Sequence, residues 1–220
     1  MLTIPPPLFL DGEALVIDKP AGLPVDRPRN RARSIEDEAA DLRFGFQRPP
    51  QAVHRLDRDT SGCLLLARNP KALARFAAAF ERGEVAKAYL AVVDGVPAAE
   101  AGTIDLPLGK TSTREAGWRI VPDPGGKRAV SRWRRLAIAR GRALLLFEPE
   151  TGRTHQLRVH ALAGLGMPIV GDPVYGRPDA TGMMLHASHL TLARPGKADI
   201  AAEAPMPARI RALGFGDALA

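Results

Sequence analysis

The chain has 220 residues, 45% of them hydrophobic and 25% charged, which suffices for one domain with a substantial core and excludes wholesale disorder. No apolar run nears the roughly 18 residues of a membrane span, the opening MLTIPPPLFLDGE lacks the basic start and apolar length of a secretion signal, and a single cysteine, Cys63, excludes an internal disulfide framework and a multi-cysteine zinc site. Thirty-one basic against 24 acidic residues give a net charge of +7, and 25 of the 31 are arginine, a side chain suited to phosphate; a GC-rich genome would give the same count without any chemistry, so composition alone leaves a nucleic-acid partner open.

In chain order, the apolar runs Leu8 to Leu10 and Ala14 to Asp18 flank Asp11-Gly12, a strong hairpin signal. Lys19-Pro20-Ala21-Gly22 ends the second strand. DRPRNRAR, residues 26 to 33, reads as a solvated loop that could also touch phosphate. Ser34 with Asp37 resembles a capping arrangement, predicting a short helix to about Phe44. Gly62 to Arg68 is a candidate buried strand. Asn69-Pro70 supplies an N-cap and a first helical residue, and Leu73, Phe76, Ala77 and Phe80 fall on one face of a helix running to Arg82.

Val85 to Val93 reads as a strand, and residues 103 to 147 as mostly β, with PDPGG at 122 to 126 a loop and a hairpin of Ala129 to Ala139 and Ala143 to Phe147 turning at Arg140-Gly141. Thr154 to Ala163 reads as a helix that Thr154 can cap, and Met184 to Leu192 as a late strand. Strands outnumber helices and hairpins dominate, so the predicted class is α+β with a mainly antiparallel sheet. The chain shows no internal repeat and no obvious linker, and the cytoplasm is the expected compartment.

Common chemical motifs are absent. No GxxxxGK[ST] occurs, and Gly164-x-Gly166 lacks the third glycine of a dinucleotide fingerprint. His155 and His160, five apart, do not share a helical face as i, i+4 ligands do, so with His186 and His189 they would hold a metal only through tertiary accident. His54-Arg55-Leu56-Asp57 has the wrong order for a kinase catalytic loop and follows no glycine-rich loop.

Two dense polar segments remain. His54 to Gly62, HRLDRDTSG, precedes an apolar run; burying so many polar side chains is costly unless they pair, and a strand mouth suits an active site. The plainer reading is a turn capped by its own Asp, Thr and Ser side chains. Gly152 to His160, GRTHQLRVH, leaves a strand and opens a helix, where arginine beside a helix start can receive an anion or a carboxylate such as Asp57. The plainer reading there is a solvated helix face.

Together these segments closely resemble the paired motifs of the RluA-type RNA pseudouridine synthases. The likeness extends through LDGEALVIDKPAGLPV (10 to 25), the KAY element at Lys87 to Tyr89, IDLPLGK (104 to 110), KRAVSRW (127 to 133), GMPIVGDPVYG (166 to 176) and LHASHL (185 to 190), spanning roughly residues 8 to 207. The resemblance implies a pseudouridine synthase catalytic fold: a single domain with a long, bent, mainly antiparallel sheet flanked by helices, in two halves around a central cleft. The catalytic opening begins near Leu8, which leaves no room for the N-terminal S4 domain that many relatives carry. Compact members act on stem-loops of tRNA, of 23S rRNA or of both, and a monomer is expected.

Residue by residue, the resemblance implies that Asp57 is the catalytic carboxylate and that Asp59 braces the turn. Asp57 would either attack C1′ of the target uridine or take a proton from C2′; neither route needs a cofactor or a metal. Arg153 is assigned the salt bridge that keeps Asp57 charged against desolvation, with a phosphate contact as its other reading. Tyr89 would stack on the base, Arg55 would fill the stem when the uridine flips out, and Leu157 would line the uracil pocket. His54 and Lys87 complete the implied substrate-binding set. A non-catalytic RNA-binding module on the same fold is one alternative. A glycoside-cleaving hydrolase is another, needing a second carboxylate from Asp59, Glu148 or Glu150 and releasing free uracil.

Overall fold

The structure, a computed structural model, describes residues 6–28, 30, 32–114 and 117–216; Arg29 and Arg31 of the arginine-rich loop lie outside the described residues. The chain forms two compact units, one holding the described residues up to Lys87 with Ala187–Pro205, the other Ala88–His186 with the described residues from Met206. Among the described residues, ten strands belong to one sheet and two more form a separate hairpin. The class is α+β with a large, mainly antiparallel sheet, as predicted.

In the first unit, β1 (Phe9–Leu10) and β2 (Ala14–Lys19) form the expected hairpin, with Phe9 opposite Val16. Asp11 Oδ1 closes its turn by accepting from the Glu13 and Ala14 amides, both at 2.8 Å. β3 (Gln51–Ala52) and β2 both pair with β4 (Ser61–Ala67), which is buried along its whole length. SGCLLLA, a continuous rather than alternating apolar run, is what a strand covered on both faces requires. β12 (Ile200–Glu203) pairs with β11 (Leu185–Leu192). Gly62 has φ +109, and a Cβ there would come within 2.2 Å of the Ala187 carbonyl oxygen, so this close approach admits only glycine.

α2 (Pro70–Glu81) starts as predicted, with Asn69 Oδ1 accepting from the Ala72 amide at 2.8 Å. It stops through a Schellman arrangement: Gly83, at φ 73, donates to Phe80 O, and Glu84 donates to Ala79 O. Its buried residues are Ala72, Phe76 and Ala79, rotated slightly from the predicted stripe, and Phe76 packs with Val16, Leu65 and Ile200 in the unit's core. Truncating Phe76 would cost about 3–5 kcal/mol.

The helix predicted to reach Phe44 is far shorter. α1 (Ile35–Glu38) has the Ser34–Asp37 capping box, but Asp41 and Leu42 then donate to the third residue back, and Phe44 and Gly45 turn left-handed at φ 44 and 84. Its first turn carries Glu36, Asp37 and Glu38 and its last turn no base, so nothing favours extension toward the negative end of the dipole.

In the second unit the strand order is β5 (Ala86–Val93), β10 (Arg142–Pro149), β9 (Val130–Ala139) and β6 (Ala101–Asp105), all antiparallel; β7 (Leu108–Thr113) and β8 (Gly117–Pro122) form the separate hairpin. Leu90, Val92, Leu144, Phe147, Ile169 and Phe215 are among its fully buried core residues. Among the described residues no helix is long and apolar enough to cross a membrane.

Candidate active site

The first unit carries His54, Arg55, Asp57 and Lys87. The first three sit in the loop from β3 to β4. Asp57 is half-buried and its carbonyl accepts from the Thr60 amide at 3.1 Å, closing a turn into the buried strand. Arg55 is exposed and its Nη1 lies 2.8 Å from Asp26 Oδ2. Asp59 pairs with the neighbouring Arg58 at 3.0 Å. Leu56 and Thr60 are buried, so alternate residues pin the segment while Arg55 and Arg58 face water.

His54 is tied into the strand system. Its Nε2 accepts from the Leu65 amide at 3.0 Å, so Nε2 is unprotonated. The ring stacks on Phe80 with centroids 4.4 Å apart, and Lys87 Nζ lies 5.6 Å from the same Phe80 ring. Burial, helped by the Lys87 charge, lowers the His54 pKa to about 3. Burial also lowers that of Lys87. His54, Phe80 and Lys87 thus form one packed cluster behind the loop.

The residue that motif reading overlooked is Lys19. It is fully buried, and its ammonium donates to the carbonyls of Pro20 and Leu23 at 2.8 Å and of Arg58 at 3.1 Å. Gly22 also donates to Arg58 O at 2.9 Å. A buried lysine is costly unless its hydrogens are taken up, and here they fasten the Asp57 turn to the KPAG segment. The sequence signal was available: Lys19 closes a strand that opens with four buried apolar residues, Ala14 to Ile17, where a solvated lysine is out of place.

The second unit carries Tyr89, Arg153 and Leu157. Tyr89 is half-buried on β5 opposite Phe147 of β10 and packs on the core that contains Leu157, itself 7% exposed. Arg153 is exposed and its Nε donates to Arg128 O at 3.0 Å. α3 (Gln156–Val159) continues as a π-helical turn over His160–Gly164. Thr154 does not cap it, contrary to expectation: His155 occupies the cap position in a left-handed conformation, φ 52, without a side-chain cap bond. Gln156 does that work from inside the helix. Its Oε1 accepts from the Arg153 amide at 2.9 Å and from Thr151 Oγ1 at 2.8 Å, while its Nε2 donates to Val130 O and Ser131 Oγ.

The same segment supplies one half of a buried ion pair. Arg158 donates through Nε and Nη2 to the two oxygens of Asp172 at 2.7 and 2.8 Å, with the side chains 5% and 0% exposed. Burial pushes the Asp172 carboxyl up, but Arg158 and the amides of Tyr175 and Val174 outweigh it and hold it below the ordinary value. Tyr175 OH meets His155 Nδ1 at 2.9 Å and accepts from the Ile120 amide at 3.0 Å, joining the segment to β8. Among the described residues no three His, Cys, Asp or Glu side chains gather to hold a metal ion.

Residues 13–163 match the family described as RNA pseudouridylate synthase. The chain belongs to this family. An RNA pseudouridine synthase of Zymomonas mobilis, of uncharacterized specificity, is 58% identical over 211 residues, covering 94% of this chain and 96% of the relative. Ribosomal large subunit pseudouridine synthase D of the same organism is 36% identical, covering 90% of this chain and 68% of the relative. Among solved structures, human RNA pseudouridylate synthase domain containing 4 superposes with a TM-score of 0.77 at 26% identity, covering 96% of this chain and 91% of that one. The family's members are isomerases acting on RNA, and the chain is one of them.

Proposed function

We propose that the chain isomerises specific uridines in structured RNA, in stem-loops of tRNA or 23S rRNA, with Asp57 as the catalytic carboxylate. The observation that carries this reading is a half-buried aspartate at the mouth of a buried strand, on a turn fastened by Lys19, with Arg55 and Arg58 exposed on either side of it. Such a carboxylate is accessible to a flipped ribose yet fixed in direction. The relative named for the large ribosomal subunit supports 23S rRNA as a substrate class.

In the proposed reaction the C1′–N1 bond breaks, the uracil turns, and C1′ bonds to C5, whose proton leaves to solvent. Asp57 either attacks C1′ or takes the C2′ proton. Arg153 supplies the positive charge that keeps Asp57 ionised when the base closes over it, and Tyr89 and Leu157 hold the uracil. Arg55 replaces the flipped nucleotide in the stem. Lys87 adds charge toward the RNA backbone, and His54 positions the loop through Leu65. The protein acts as a monomer, one catalytic domain in the cytoplasm, without a cofactor.

Tritium release from RNA labelled at uracil C5 tests this, comparing wild type with Asp57→Asn on bulk tRNA and on 23S rRNA fragments. Release from one substrate, lost in Asp57→Asn, establishes the reaction, the residue and the RNA class together. Release undiminished in Asp57→Asn removes the catalytic role from that residue. Tight binding with no release from either RNA favours a binding module, and free uracil favours a hydrolase. Arg153→Ala is expected to lower the rate more than RNA affinity; equal losses assign it to phosphate instead.

A further inference from the structure

Residues 43–48 read Arg-Phe-Gly-Phe-Gln-Arg, two aromatic rings between two arginines. Phe44 is 43% exposed and Phe46 39%. Phe44 is also one of three non-glycine residues described with positive φ, at 44°, a backbone that bulky side chains rarely adopt. Both features oppose the ordinary preference of phenylalanine, which is to lie inside on a relaxed backbone.

Arg68 imposes them. It is 5% exposed, and its Nη2 donates to the carbonyls of Arg43 and Phe44 at 2.8 and 3.0 Å, while its Nη1 donates to Asp11 O at 2.7 Å. Its Cζ lies 3.5 Å from the centroid of the Phe46 ring. A buried guanidinium therefore holds a strained loop so that an aromatic face meets solvent. Strain maintained by buried contacts of this kind concentrates at ligand sites.

Beside the loop lies a groove of ≈ 580 Å³, large enough for a nucleotide, with Ile35, Pro50 and Leu73 in its apolar lining and Arg48 and Glu36 among its polar walls. Arg43 and Arg48 are exposed, and among the described residues neither guanidinium has a hydrogen bond or an ion pair. Asp26 lines the groove and pairs with Arg55, two residues before Asp57, so one ion pair ties the groove wall to the HRLD loop.

We propose that the loop from Arg43 to Arg48, together with the groove it borders through Arg48, is a second RNA subsite, which takes an unpaired nucleotide adjacent to the target uridine. It rests on the proposed RNA-modifying function of the HRLD loop. The base stacks on the exposed Phe44 ring, which stands on the loop outside the groove's lining, and the phosphate meets Arg48 in the groove wall. Aromatic faces flanked by unpaired arginines suit RNA; the two groove carboxylates do not weigh against it, because Asp26 is held by Arg55 and Glu36 accepts the Arg27 amide at 3.0 Å.

The probe is the RNA stem-loop that releases tritium, together with copies in which each loop nucleotide beside the target is made abasic in turn. Wild type is expected to lose about 10-fold in affinity at one abasic position, and Phe44→Ala to lose about the same on intact RNA with no further loss on that abasic RNA. The release rate at saturation stays at the wild-type value. Phe44→Gly suits the left-handed backbone and is expected to unfold no more readily than wild type while losing the same affinity, which separates a lost contact from a damaged fold. Arg48→Ala lowers the salt dependence of binding by about one counterion.

Equal affinity of Phe44→Ala and wild type for intact RNA, or a loss that simply adds to the abasic loss, overturns the inference. So does a change in self-association with RNA binding unaltered, which would assign the patch to contact between copies. Wild type that releases tritium while the variants behave normally removes only this subsite. Wild type that releases none removes the catalytic reading and this inference with it.

Discussion

The HRLD turn and the Gly152–His160 segment reach the same end by opposite chemistry. Both hold a segment bearing a charged side chain, half-buried Asp57 or exposed Arg153, with a polar anchor that is buried. Under Asp57 the anchor is a single cation, Lys19, spent on backbone carbonyls, with His54 kept neutral beside it. At Arg153 it is a neutral amide, Gln156, in a segment whose Arg158 makes a closed ion pair with Asp172. The first device spends a buried positive charge on backbone carbonyls; the second meets the backbone with a neutral amide. A surface loop can therefore be fixed equally by a buried cation or by a neutral buried amide.

The largest expected effect comes from opening the closed pair. Asp172→Asn keeps the acceptor for the Val174 and Tyr175 amides but strands the Arg158 charge, and should lower unfolding free energy by about 3–5 kcal/mol in urea titrations. Adding Arg158→Met should restore part of that loss, since an apolar side chain leaves no uncompensated charge. If the double variant is no more stable than Asp172→Asn alone, the pair is not the anchor. Lys19→Met comes next, at about 2–3 kcal/mol for the charged hydrogen bonds. Its mark should be kinetic as well: release of tritium should fall at temperatures where the variant is still fully folded. A variant that is destabilised yet turns over normally would mean that the turn keeps its geometry without Lys19.

How far these devices could be read beforehand depends on what forms them. Elements governed by local chemistry were legible: Asp11-Gly12 and the hairpin, Asn69-Pro70 and the start of α2, the apolar run of β4. Elements governed by distant partners were not. The helix expected to reach Phe44 stops at Glu38, after which Arg68 takes the carbonyls of Arg43 and Phe44. Thr154 has the right chemistry for a cap, yet His155 takes the position because Tyr175 holds its ring from elsewhere in the chain. For the site, the motifs drew attention to both loops and assigned their exposed residues by resemblance. Lys19, Gln156 and Asp172 lie within those motifs, but the motifs assigned them no role, because their partners are brought together only by the fold.

The neutral histidine gives a smaller and pH-dependent effect. An unfolded histidine binds its proton near pH 6.5, whereas folded His54 does so only near 3, so between those values the unfolded state binds more protons. Stability should then be level above about pH 6.5 and fall by about 1.4 kcal/mol per pH unit on acidification toward 3, from this group. His160, whose pKa is also lowered by burial, acts with the same sign. His54→Gln retains an acceptor for the Leu65 amide without titrating, so its stability should fall less steeply between pH 6.5 and 5 in parallel melts. Equal slopes would show that His54 contributes nothing to the acid sensitivity.

The smallest effect separates surface charge from anchor. Arg55 and Asp26 meet at 2.8 Å with side chains 74% and 49% exposed, so solvent screens the pair. Asp26→Asn should shift unfolding free energy by only about 0.5 kcal/mol or less, an order below the buried pair. Its consequence should appear in RNA binding instead. Removing the carboxylate leaves the Arg55 guanidinium uncompensated where the proposed stem enters, so affinity should rise, most clearly at low salt, and fall more steeply as salt is added. A large stability loss would make the pair part of the anchor after all. Unchanged salt dependence would place Arg55 away from the nucleic acid.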